Sequence, residues 1–84
     1  RGIAYKFYIM SVSAALYSAI RHDAQAKISN ARATLLIYFT NPVGIGEHPQ
    51  HLEEMTKLLD EISQAEDRLS TLDNHFSEFS NGQQ

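Results

Sequence analysis

The chain has 84 residues, a net charge of −3, 43% hydrophobic residues and no cysteine. That is one domain at most, with a core too small to be secure alone, and without cysteine, disulfides and thiolate metal sites are excluded. A weakly negative chain has no general attraction to nucleic acid, so no nucleic-acid partner is expected; self-association or a larger assembly is left as the supplement to the core.

The total conceals an asymmetry. Residues 1–40 carry five basic side chains and one acidic, whereas residues 41–84 carry two basic and nine acidic. Opposite charge on two neighbouring segments favours their pairing. The acidic second half also fits a mimic of nucleic acid that binds a nucleic-acid-binding protein, but plain solubility explains it more simply.

In chain order, residues 1–10 read as an N-terminal arm or extension, or as the first turns of a helix. Met10 is a candidate start, which makes residues 1–9 an upstream extension. Lys6 interrupts the apolar stretch here, no small-x-small cleavage site follows, and no apolar run approaches the roughly 20 residues that span a bilayer. No membrane partner is therefore expected, and the location expected is the cytoplasm of a host cell or a virion.

A helix is predicted over about 11–40, where neither proline nor glycine occurs and strong helix formers such as Ala14, Leu16, Ala24, Gln25, Ala26 and Lys27 dominate. Ser11 and Ser13 are candidate N-caps. Tyr17, Ile20, Ala24, Ile28, Ala31, Leu35 and Tyr38 recur three and four apart and trace one face. The last turn, Leu35 to Phe39, is apolar nearly all round, which predicts cover from more than one side.

Residues 41–48 then read as a turn. Asn41, Pro42 and Gly44 suit a type I turn, Gly44 and Gly46 tolerate positive φ, and Pro49 suits the first position of a new helix. His48 falls at the N-cap, with Glu47 at the favourable positive end of the helix dipole. Val43 and Ile45 are expected to fold over Phe39 and Leu52 as a plug. Glycines before a helix start also suggest an anion cradle, but no P-loop Lys-Ser/Thr follows, no dinucleotide fingerprint is present, and Glu47 repels phosphate.

A second helix is predicted over about 49–79. Met55, Leu58, Ile62, Ala65, Leu69, Leu72, Phe76 and Phe79 alternate three and four apart, the seam of a coiled coil or tight hairpin. Leu52 and Leu59 widen it. Glu53, Glu54, Lys57, Asp60, Glu61, Glu66, Asp67, Arg68 and Asp73 lie outside it as a solvated face, with Glu53–Lys57 an i,i+4 pair. Residues 81–84 form a frayed tail.

Two long helices and a short linker predict an all-α fold, an antiparallel αα-hairpin. Two helices leave much of each stripe open, so two hairpins are expected to meet as a dimeric four-helix bundle or higher oligomer. The expected interface is Met55, Leu58, Ile62, Leu69, Leu72, Phe76, Phe79, Tyr17, Ile28, Leu35 and Tyr38, and the structural turn is Asn41, Pro42, Gly44, Gly46 and Pro49.

Chemistry has little support. His48 and His51, with Glu47 beside them, are the weak metal candidates by spacing; surface histidines at a helix start explain them as well. Neither HExxH nor the Glu-x-x-His of di-iron bundles occurs, and His22 and His75 lack further ligands in sequence. No nucleophile elbow is present. Catalytic residues and cofactors are accordingly expected to be none.

The segment from Asn41 to Phe76, with its "NPVGIGEH" turn between an apolar-aromatic helix end and a heptad helix, resembles short uncharacterised helical-hairpin proteins of tailed bacteriophages. The resemblance is best over Ala31 to Phe76 and does not extend to residues 1–20. It implies a phage origin and a helical hairpin, and no catalytic residue. The expected function is a small, non-enzymatic, self-associating interaction protein, as a virion component or an accessory factor binding a host protein. The alternatives are a ligand-binding or inhibitory module with its pocket between hairpins and, ranked lower, a metal site on a dimer axis.

Overall fold

The computed structural model describes residues 2–41 and 50–80. Helix α1 spans Gly2–Thr40 and helix α2 spans Gln50–Phe76, followed by a 3₁₀ turn, Ser77–Phe79. Among the described residues there is no strand, and the two helices pack side by side. Tyr17 and Arg21 of α1 meet Asp73 near the end of α2, while Tyr38 at the end of α1 meets Glu54 at the start of α2. The pair is therefore antiparallel. The all-α hairpin expected from periodicity is the fold.

α1 begins earlier than expected. Residues 2–10 continue the helix, so an arm distinct from it does not form there. Ser11 and Ser13 are helical and cap nothing. A serine caps a helix where something stops the chain before it, and no glycine or proline lies between Gly2 and Pro42. Gly2 opens the helix with φ +59°. At the other end, Pro42 disfavours helical geometry at Asn41, and α1 stops at Thr40. The Asn41 N–H donates to the Ile37 carbonyl at 3.0 Å, and the Thr40 hydroxyl donates to the Leu36 carbonyl at 2.7 Å. The first satisfies a carbonyl that a helix end leaves without a partner, and the second adds a side-chain bond to a carbonyl of the last turn.

The interface between the helices is narrow. Tyr17, Ala24, Ala31, Leu35 and Ala65 are its buried residues, with Ala24 at 0% exposure. Ile28, Tyr38, Met55, Leu58, Ile62, Leu69 and Leu72 are half-buried around them. Alanines at the centre let the helix axes approach closely, and the larger side chains close over the flanks. Three positions depart from the expected seam. Ile20 is 43% exposed, and its place toward α2 is taken by half-buried Arg21. Phe76 and Phe79 are 50% and 37% exposed, because α2 gives way to the 3₁₀ turn there.

The helices differ in length, and this decides the shape. At 1.5 Å per residue α1 measures about 58 Å and α2 about 40 Å, in a molecule 65 Å long. Ser13 and Tyr17 lie beside Phe79 and Phe76 at the end of α2. Every described side chain between residues 2 and 12 is exposed, so α1 overhangs its partner there.

Candidate functional site

The best-defined polar feature sits where α2 ends. Tyr17 and Arg21, four apart on α1, share one side of that helix and face Asp73. Arg21 donates through one nitrogen, Nη1, to both carboxylate oxygens of Asp73, at 2.6 and 2.7 Å. The Tyr17 hydroxyl donates to the same carboxylate. The Arg21 guanidinium first, and the Tyr17 hydroxyl second, hold the Asp73 carboxyl below its usual range. A carboxylate stabilised in this way is a poor proton acceptor. The group ties the two helices together across a polar groove that His22 and Gln25 also line. Sequence reading placed Asp73 on a solvated face and did not foresee this contact. The available signal was an opposite-charge pair flanking the seam, Arg21 after Ile20 and Asp73 after Leu72.

A second tie closes the turn end. The Tyr38 hydroxyl donates to Glu54, and the Tyr38 ring lies 5.6 Å from that of His51 at a 40° tilt. Glu54 raises the Tyr38 phenol pKa, so the hydroxyl keeps its proton. His51, a weak metal candidate in sequence, is half-buried against this tyrosine. Among the described residues, no three of His, Cys, Asp and Glu gather to hold a metal ion. His22 and His75 are both exposed. Glu47 and His48 lie outside the described residues, as do Pro42, Gly44, Gly46 and Pro49 of the turn and the plug expected from Val43 and Ile45.

On α1, Asp23 and Lys27 form an i,i+4 ion pair at 2.7 Å that lowers the Asp23 pKa. Glu53–Lys57, expected to pair in the same way, is not closed: among the described residues the ion pairs are Asp23–Lys27 and Arg21–Asp73. Both side chains of that open pair are exposed, where water competes well with such a contact.

The residues expected to form an oligomer interface divide in two. Tyr17 and Leu35 are buried within the hairpin. Met55, Leu58, Ile62, Leu69, Leu72, Ile28 and Tyr38 face the companion helix and retain part of their surface. Phe76 and Phe79 stand at the rim of an open apolar groove of about 320 Å³ with Leu16, Ile20 and Leu72. The remaining exposed apolar side chains form two groups. Leu36, Ile37 and Phe39, with Leu52 and Leu59, lie in the turn half; Ile3, Tyr5, Tyr8, Ile9 and Val12 lie on the overhang.

The overhang also revises the reading of its composition. Taken as a helix continuous with the rest of α1, it contributes to an apolar stretch with a mean hydropathy of 1.3 over 18 residues, long and apolar enough to cross a membrane. Lys6 is the one charged residue between positions 3 and 20. The expectation that no apolar run approaches spanning length treated Lys6 as a break; a single lysine does not break a helix.

Compared with protein families, curated proteins and solved structures, the chain finds no match.

Proposed function

We propose that this chain is a small non-enzymatic interaction protein that assembles with copies of itself through the turn half of the hairpin. The supporting observation is the disproportion between core and surface. Five hydrophobic residues are buried among the described residues, while fourteen large hydrophobic side chains are exposed. A two-helix core of this size supports a fold poorly alone, and apolar surface on this scale marks an interaction site. Leu52 and Leu59, seven apart on one flank of α2, together with Leu36 and Phe39, supply a face for a second hairpin. Half-buried Met55 and Leu58 extend it. Pairing there produces a four-helix bundle.

A bacteriophage origin, and with it a virion or host-protein partner, rests on the resemblance of residues 41–76 alone. The test of assembly is sedimentation equilibrium of the full chain at micromolar concentration. The expected mass is a multiple of 9.5 kDa. Leu59→Lys combined with Leu36→Lys should reduce it to one chain with helicity retained. A helical species of monomer mass at every concentration would overturn the assembly.

A further inference from the structure

The N-terminal overhang differs in kind from the rest of the hairpin. The stretch between residues 7 and 20 holds no charged residue at all. Ile3 is 71% exposed, Tyr5 57%, Tyr8 65% and Ile9 42%. At 100° per residue Tyr5, Tyr8 and Ile9 fall within one arc of about 100°, and Ile3 lies on the opposite side, so apolar side chains are exposed on two sides of the helix. A protein partner covers one side of a helix; apolar side chains exposed on opposite sides suit a helix surrounded by an apolar medium.

We infer that this part of α1 inserts into the hydrocarbon of a lipid bilayer, overhang first, with the rest of the hairpin standing on the membrane surface. The eleven residues clear of α2, 2–12, measure about 16 Å along the axis, close to the depth of one hydrocarbon leaflet. Tyr5 and Tyr8 are the amphipathic aromatics that favour membrane interfaces, and Lys6 has a stem long enough to carry its ammonium out of an apolar layer. Ser11, Ser13 and Ser18 have hydroxyls able to fold back onto the carbonyl four residues earlier, so they need no water.

The end of α2 sets the boundary. Charge resumes on α1 at Arg21, which grips Asp73 at the end of α2. On the other side of that pair the exposed large apolar side chains are Leu16, Ile20, Phe76 and Phe79, and polar Asn74, His75, Ser77 and Glu78 are exposed among them at the end of α2. These polar groups put the end of α2 at headgroup level, so the hydrocarbon takes residues 2–12, which lie clear of it.

The test uses the full chain and vesicles of neutral phosphatidylcholine, so that the positive first half has no surface charge to adhere to. On a density gradient the protein is expected to float with the vesicles. An environment-sensitive fluorophore on Ile9→Cys should shift to shorter wavelength when vesicles are added, and the same fluorophore on Gln25→Cys should not. Ile9→Asp, and independently Val12→Asp, should reduce the floated fraction about tenfold with the hairpin's helicity unchanged. The assembly variant, Leu59→Lys with Leu36→Lys, should float as the parent does, so failure of self-association and failure of insertion are separately visible. Helical protein that stays at the bottom of the gradient overturns the inference. So do equal shifts at positions 9 and 25, which mean adsorption, and a shift at position 9 that follows protein concentration without vesicles, which means a second copy covers the overhang.

Discussion

α2 and the first half of α1 are both regular helices rich in apolar residues, yet they are organised in opposite ways. In α2 the apolar residues keep to one seam and charged residues occupy the other faces. In residues 2–20 of α1 the apolar residues encircle the axis and a single lysine carries charge. The first arrangement orients a helix: one side goes inward against a partner and water takes the rest. The second specifies surroundings without specifying a direction. α2 accordingly finds its partner within the chain, while the start of α1 is left uncovered. Helical propensity builds both; pattern decides what each can bind.

This contrast can be broken by substitution. The largest expected effect is Leu35→Ala, which removes the bulkiest aliphatic side chain of the buried set. It should cost about 2–5 kcal/mol, toward the lower end because the core is thin and can collapse. Urea unfolding followed by circular dichroism measures it. Next is Ala24→Leu, with Ala65→Leu as its counterpart on α2. Each inserts bulk where the helices approach most closely and should cost about 1–3 kcal/mol. Unchanged unfolding midpoints in both would mean that the helices do not meet through their alanines.

Asp73→Asn gives a smaller effect with a defined pH dependence. The folded-state pKa of Asp73 is depressed, so its stabilising contribution is complete above the unfolded value of about 3.9. That contribution is lost as pH falls through the lower folded value. The variant should thus be less stable than the parent at neutral pH, and the difference should close below about pH 3.9. A difference that stays constant down to strong acid would show that charge at Asp73 is not what ties the helices. The smallest effect belongs to Tyr8→Ser and Ile9→Ser on the overhang, expected to change hairpin stability in buffer by less than about 0.5 kcal/mol. A loss comparable to that of Leu35→Ala would erase the distinction between the two regions.

The same distinction governs how much could be read in advance. The seam of α2 was legible because its three-four alternation runs from Met55 to Phe79; the six residues through Leu72 turn inward, and Phe76 and Phe79, which continue the spacing, stay exposed. The stripe of α1 was legible except at one step. Between Tyr17 and Ala24 both Ile20 and Arg21 satisfy the spacing, and hydrophobicity favours Ile20. The choice of Arg21 depends on Asp73 standing opposite, which is a matter of register between helices 52 residues apart in sequence. Periodicity within one helix carries no such information. The start of α1 was left open between an arm and the first turns of the helix, because two serines resemble caps although nothing in the chain interrupts the helix before them. The metal candidates Glu47 and His48 lie outside the described residues, and His51 belongs to the turn-end contact with Tyr38.

The cross-helix tie at Arg21 also fixes a distance. From Arg21 to the last helical residue, Thr40, the rod runs about 29 Å, without a proline or glycine to bend it. Whatever the open end rests on, the turn end is carried that far from it. The exposed Leu36, Ile37 and Phe39 are thereby presented at a set height, as on a short mast, and tilt at the base becomes displacement at the tip.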